Sequence, residues 1–321
     1  MRAVQLGAAL GLFLFLAGCI AAAAAWGSFG STAATSAGNV VAAAPDFVAP
    51  QVTATTIAKT SGYSAGYVKK GGTYYVYANV EDKGNPASGV STVTADVSSL
   101  TSGQTAVALS AGSFTAEGVT YNMRSASLTA GSTLVEGTYS YALTTTDLAG
   151  NTATTSGLTV QVDNLAISAA NLQTTNGGSI AGRAQQGDRI TYTFSEQPDP
   201  GSILAGWDGA ATNVVVRLNN ATNDTVTVFN AANTAQLPLG TIELGRTDYT
   251  TANRTFGATG TASTMELSGN QLTITLGTQS GAATTAAGTG TLTWTPSATA
   301  TDRAGNAMST TAKAVTGQKA F

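Results

Sequence analysis

The sequence predicts an all-β protein in which two tandem β-sandwiches follow an N-terminal hydrophobic helix. The composition is rich in Thr, Val and Ala, and only 10% of the 321 residues are charged, which suits pleated, half-buried strands better than exposed helices. Apolar residues alternate in short runs between glycine turns. Two sequence motifs occur twice, in the same order. No segment after residue 30 shows the helical period.

The N-terminus carries one positive charge, at Arg2, followed by an uncharged apolar run over residues 6–25. This pattern is typical of an export signal, and the run is also long enough to cross a bilayer. We therefore predict a signal peptide or membrane anchor over residues 1–28 and an extended segment or linker over 29–49. "LAGC" (16–19) has the form of a bacterial lipobox, so Cys19 is a candidate for lipidation. The alternative is that Cys19 is simply a small apolar residue of a spanning helix.

The residues after the apolar run carry an aromatic pair, a polar stretch and a "GN" before an alternating segment. The matching positions are Trp26, Phe29, Thr32, Gly38 and Asn39. In this respect the junction resembles that of the camelysin and biofilm-fibre protein family. The resemblance implies cleavage near residues 26–29, loss of Cys19, and a freed segment able to complete a neighbouring chain's sheet.

Two long repeats divide the rest of the chain into predicted sandwiches over residues 50–163 and 164–321. "KKGGTYYVYANVED" (69–82) is answered by "QQGDRITYTFSE" (185–196), with Gly71 matching Gly187. A second motif, "TDLAGN", returns as "TDRAGN" near the end of the chain. Because Asp147 lies 76 positions after Gly71 and Asp302 lies 115 positions after Gly187, the second copy holds 39 more residues. These include "NVVVRLNNATNDTVTVFN" and "TMELSGNQLTITLG", which we predict to be hairpins.

The repeated turn Asp-x-Ala-Gly-Asn has three interpretations. As a structural turn, the Asp carboxylate accepts bonds from nearby backbone N–H groups while Gly takes the left-handed conformation. As a metal site, Asp147 and Asn151 would offer oxygens to calcium together with Glu81, Asp82 or Asp163. The third interpretation is catalysis. We expect structural turns, formed by Asp147, Gly150, Asn151, Asp302, Gly305 and Asn306.

An aromatic residue stands eight positions before each repeated Asp. These residues, Tyr139 and Trp294, are predicted to anchor the two cores. With "TDLAGN", "TDRAGN" and "TFSEQPDP", the pattern resembles that of bacterial Ig-like domains over residues 50–320. The resemblance implies Ig-like β-sandwiches and leaves the function open, because such sandwiches host many roles.

The side-chain inventory disfavours catalysis. Histidine is absent and Cys19 is the single cysteine, which removes Ser-His and Cys-His pairs and most zinc sites. The net charge of −3, without a basic patch, argues against nucleic acid as a partner. Glu196 and Asp199 are candidates for the acid/base pair of a glycosidase, but residues three apart around Pro198 are expected to share one exposed loop. Trp207, with tyrosines 63, 67 and 75, is a candidate sugar-stacking platform, but an aromatic residue in a long loop is expected to cover the end of a sandwich.

These observations predict a non-catalytic protein of the cell surface or extracellular space with a structural or adhesive role and no cofactor. One alternative is a fibre subunit that assembles by N-terminal strand exchange. Another is a carbohydrate-binding or enzyme-accessory module. The expected partners are other surface or matrix proteins, a second copy of the chain, or a glycan, with membrane contact only through the N-terminus.

Overall fold

The computed structural model describes residues 34–35, 38–39, 44–59 and 64–321. The first of these form two short paired strands, β1 (Ala34–Thr35) and β2 (Gly38–Asn39). The predicted signal peptide or membrane helix over 1–28, including Cys19, lies outside the described residues. Within the described ranges no helix is long and apolar enough to cross a membrane.

Nine strands between Gln51 and Val162 form the first sheet. They are β3 (Gln51–Ala58), β4 (Tyr67–Val68), β5 (Thr73–Glu81), β6 (Val90–Asp96), β7 (Val107–Ala116), β8 (Val119–Ser125), β9 (Leu128–Thr129), β10 (Gly137–Asp147) and β11 (Thr152–Val162). Their order is β3-β5-β8-β7-β6-β10-β11-β4, and β9 also pairs with β5. Strand β4 runs parallel to β11, whereas the other pairs are antiparallel.

The core of this unit takes side chains from both ends of the strand order. In β5 the alternate residues Tyr74, Val76 and Ala78 are fully buried, as their period of two predicts. They share one buried cluster with Leu143 of β10 and Val160 of β11. The sheet therefore folds so that its two halves enclose a single core.

Ten strands between Ala169 and Gln318 form the second sheet. They are β12 (Ala169–Thr175), β13 (Arg189–Phe194), β14 (Thr212–Asn219), β15 (Thr225–Asn230), β16 (Thr241–Glu243), β17 (Arg254–Phe256), β18 (Ser263–Ser268), β19 (Gln271–Thr275), β20 (Gly290–Thr295) and β21 (Lys313–Gln318). The order is β12-β13-β19-β18-β14-β15-β16-β20-β21, with β17 on β14. The two sheets fall within the predicted ranges 50–163 and 164–321, whose boundaries stay predictions.

The second sheet contains extra strands in the middle of the repeat. In the first sheet β6 alone lies between β7 and β10, whereas β14, β15 and β16 together lie between β18 and β20. Both predicted hairpins are confirmed: β14 pairs with β15 across an Asn-rich turn, and β18 pairs with β19 across Gly269 and Asn270. The all-β prediction is confirmed as well. Its one exception among the described residues is a single helical turn, α1 (Pro200–Ile203).

The two aromatic residues predicted as core anchors differ in burial. Trp294 is fully buried, packs edge-on against Tyr192 and Phe194, and donates from Nε1 to the Leu239 carbonyl at 2.6 Å. Tyr139 is only half-buried, and its hydroxyl donates to the carbonyl of Val135. The difference follows from the neighbouring strand, because β16 pairs with β20 at Trp294, whereas β6 pairs with β10 only from Ala142 onward and does not reach Tyr139.

Candidate functional site

The turn between β10 and β11 is closed by one carboxylate. Asp147 is buried, with its Oδ1 accepting from the Asn151 backbone N–H at 2.8 Å and its Oδ2 accepting from Asn151 Nδ2 at 2.7 Å. Gly150 has φ of 92°, a left-handed conformation that glycine adopts without steric cost. The Asn151 amide also donates to the Asp46 carbonyl at 3.0 Å, which fastens the turn to the segment before β3.

The second turn repeats this geometry. Asp302 Oδ1 accepts from the Asn306 N–H and Oδ2 accepts from Asn306 Nδ2, both at 2.9 Å, and Gly305 has φ of 91°. Asn306 donates to the carbonyl of Asp163 at 3.0 Å, so Asp163 corresponds to Asp46. Sequence reasoning missed Asp46. In each unit an Asp stands shortly before the first strand, two residues ahead of an aliphatic residue. This shared pattern could have identified Asp46 from the sequence.

Three carboxylates converge at the first turn. The side chains of Asp46, Asp82 and Asp147 each have an oxygen within 4.8 Å of the others. Asp46 accepts from the backbone N–H groups of Val48 and Ser88 at 2.9 and 2.8 Å, which lowers the pKa of its carboxyl. Oxygen ligands of this kind suit a hard cation, and these three residues are the ones able to hold it.

A matching group lies at the second turn and comprises Asp163, Glu196 and Asp302. Burial, a hydrogen bond with Asp163 and the negative charges of Asp163 and Asp302 raise the pKa of Glu196 to about 7. Burial also raises the pKa of Asp302. Like charges held close together disfavour full ionisation, so Glu196 retains its proton to near-neutral pH.

The predicted calcium candidates are thus divided between two places. Asp147 belongs to the first carboxylate group and Asp163 to the second. Asn151 directs its Nδ2 at Asp147 and uses the same group to bind Asp46. The three residues therefore do not form one site.

The proposed glycosidase pair is not formed. Asp199 is buried and caps α1, where its Oδ1 accepts from the Gly201 N–H at 2.9 Å, and its Oδ2 lies 3.7 Å from Lys59 Nζ. Glu196 instead lies beside Asp163. The expectation that Glu196 and Asp199 share one exposed loop was wrong, because the cap and the lysine bury Asp199.

The proposed sugar-stacking platform is not formed either. Trp207 is 5% exposed, belongs to the core of the second unit, and donates from Nε1 to the Ala210 carbonyl. The ring of Tyr67 is covered by Arg303, and that of Tyr75 lies under Arg124. Tyrosine 63 lies outside the described residues.

The two turns differ in what surrounds them. Leu148 and Ala149 of the first turn are exposed, whereas Arg303 is half-buried and Ala304 is buried. Because the turns have the same internal geometry, the difference comes from contacts that only the second turn makes. We call the contact between the second turn and the first unit the joint.

Arg303 is central to the joint. Its guanidinium carbon lies 4.7 Å from the ring centre of Tyr67, and Nη2 donates to Glu117 Oε1 at 3.0 Å. Glu117 Oε1 also accepts from the Ala65 N–H. Cation–π stacking and a charge-assisted bond act together on one side chain.

Further bonds join the units on either side of Arg303. Lys69 Nζ donates to the Gly305 carbonyl. Asn164 accepts through Oδ1 from the Lys70 N–H at 2.8 Å and donates through Nδ2 to the Leu134 carbonyl at 3.1 Å. None of these partners was identified from the sequence, because they come from loops far apart in the chain.

No protein-family model matches the chain, and no curated protein matches it in sequence. Its function is therefore argued from the turns, the carboxylate groups and the joint.

Proposed function

We propose that this chain is a non-catalytic, exported protein of the cell surface or extracellular matrix, in which two Ig-like sandwiches form one stiff structural or adhesive unit. The strand order of the first sheet supports the Ig-like assignment. When the two-residue strands β4 and β9 are left out and the other seven are numbered along the chain, the order across the sheet is first, second, fifth, fourth, third, sixth and seventh. This is the ABED and CFG order of the strands in Ig constant-type domains. The second sheet keeps this order at its ends and inserts strands in the middle.

The joint is the observation that carries the proposal. Tandem domains on a free linker move independently, whereas here a turn of the second unit contacts the first through Arg303, Gly305 and Asn164. Of the side chains considered for catalysis or sugar binding, Asp199 caps α1 and Trp207 is buried in the core. A pair of sandwiches held in this way acts as a spacer or presents one face at a set distance.

The proposal is tested on the host cell. Intact cells are treated with an external protease, and the mature chain is followed by immunoblot and peptide sequencing of its N-terminus. We expect the protease to degrade the chain on intact cells, or the chain to be found in the medium, with a start beyond the apolar run or a lipidated Cys19. A full-length chain that is cleaved only after lysis would contradict export.

A fibre formed by N-terminal strand exchange stays an alternative proposal, and the geometry limits it. The donor segment would include residues 46–50, which already serve their own unit: the Asp46 carbonyl accepts from Asn151, and the Pro50 carbonyl accepts from Thr145 Oγ1 at 2.6 Å. Strand donation by these residues would break both bonds. Trp207 no longer supports the carbohydrate-binding alternative, because its ring is buried.

A further inference from the structure

The first unit has an uncovered copy of the surface that the second unit uses in the joint. Leu148 corresponds to Arg303, and Phe47 corresponds to Asn164. Arg303 and Asn164 both bind the first unit. Yet Leu148 is 72% exposed and Phe47 is 74% exposed. We call this surface, formed by residues 46–48 and 147–151 with Asp82, the leading end.

The second unit has an open copy of the surface that receives the joint. Arg183 and Gln185 lie 116 positions after Tyr67 and Lys69, in the corresponding loop between the first two long strands. This loop borders a recess of about 380 Å³. Its lining consists of Gly178, Ser179, Gln185, Gln186, Thr278 and Gln279. We call residues 176–188 with Thr278 and Gln279 the trailing end.

Unsatisfied polar atoms mark the trailing end. Among the described residues, Arg183 Nε and Gln279 Oε1 are buried without a hydrogen-bond partner. Such atoms are uncommon in folded proteins, and a third one among the described residues, Arg124 Nε, lies in the first unit. Ile180, in the same loop, is 37% exposed and offers apolar surface to an incoming side chain.

Charge matches the two ends. The leading end carries Asp46, Asp82 and Asp147. The trailing end carries Arg183 and the buried Asp188, whose carboxylate accepts from backbone N–H groups of its own loop, and the Lys319 side chain lies against Gly182. Within the joint, the pair of Lys59 with Asp199 has this polarity, whereas the pair of Arg303 with Glu117 has the reverse polarity.

We propose that the leading end of one chain docks on the trailing end of a second copy, in a head-to-tail contact that repeats the joint between chains. Leu148 then occupies the position that Arg303 has within the chain. Because the contact joins two different surfaces, a pair of chains still has one leading end and one trailing end free. Further chains add to these ends and form an open filament, unless the rotation between successive chains closes a ring. This assembly requires no donated strand and does not depend on where the chain is located.

The first test measures association of the mature protein by sedimentation over a range of concentrations. We expect mass to rise beyond two chains, because head-to-tail contacts do not stop at a dimer. Leu148→Ser should weaken association about tenfold or more, since an exposed leucine would lose its burial in the contact. Val135→Ser is the matched control, because Val135 is 69% exposed and lies outside both ends.

A second pair of variants tests the trailing end without disturbing its fold. Gln186 is exposed, so Gln186→Glu should weaken association and Gln186→Lys should strengthen it. The association constants of the two variants should differ about fivefold at low salt. This difference should shrink at higher salt, because salt screens the carboxylates of the leading end. Three results would overturn the proposal: a single-chain mass at the highest attainable concentration, assembly that stops at two copies, or equal effects of Leu148→Ser and Val135→Ser.

Discussion

The guanidinium group of Arg303 stacks on the ring of Tyr67, 4.7 Å from its centre. These residues belong to different sandwiches, and Arg303 also bonds to Glu117. The equivalent residue of the first turn, Leu148, is exposed. One turn thus serves two purposes: it closes a hairpin in both units, and in the second unit it also joins the two.

Replacing Arg303 with alanine should loosen the joint. The stacking and the ion pair are partly exposed, with side chains 23% and 19% exposed, so together they contribute about 1 kcal/mol. X-ray scattering should show a broader distribution of dimensions, and protease cleavage near residues 163–168 should become faster. Val135→Ala, at an exposed position outside the joint and outside both ends, should leave both readouts unchanged; scattering of Arg303→Ala identical to wild type would contradict the role of the joint.

Replacing Asp147 with alanine should destabilise the first unit by about 2 kcal/mol. The substitution leaves the Asn151 N–H without the acceptor it has at 2.8 Å, and a buried unsatisfied donor costs about 1–3 kcal/mol. Urea unfolding followed by circular dichroism measures the change. Leu148→Ala, in the same turn, is the control, and a loss as small as that of the control would show that the carboxylate does not hold the turn.

The stability of the second unit should fall as pH rises from about 5 to about 8. The pKa of Glu196 is raised from 4.5 to about 7, so in this window the folded state binds more protons than the unfolded state, and folding weakens with increasing pH. Trp207 and Trp294 both lie in this unit, so their fluorescence reports its thermal unfolding. In Glu196→Gln this part of the slope should disappear; a slope unchanged from wild type would mean that Glu196 titrates normally.

Truncating the two aligned aromatic residues should have unequal effects. Trp294→Phe removes a buried bond to Leu239 and leaves a void, so we expect a loss of about 2–3 kcal/mol. Tyr139→Phe removes only a bond at a half-buried position and should cost less than about 1 kcal/mol. Chemical denaturation of the two variants measures both values, and equal losses would contradict the difference in burial.

Much of the fold could be predicted from the sequence because its determinants are local. Alternation over Tyr74, Val76 and Ala78 identifies a half-buried strand, and Gly269 with Asn270 identifies a hairpin turn. The burial of Asp199 could not be predicted, because it depends on α1 and on Lys59, which lies 140 positions before Asp199. The unequal burial of Tyr139 and Trp294 could not be predicted either, because it depends on how far the neighbouring strand extends beside each residue.

The repeated turn separates what the sequence determines from what tertiary structure decides. Five residues, from Asp to Asn, contain both the carboxylate and the N–H groups that it binds, so the same sequence forms the same turn twice. Whether the turn also makes a contact depends on Glu117, 186 positions from Arg303. No local pattern encodes such a pairing, because the two residues meet only after both sandwiches have formed.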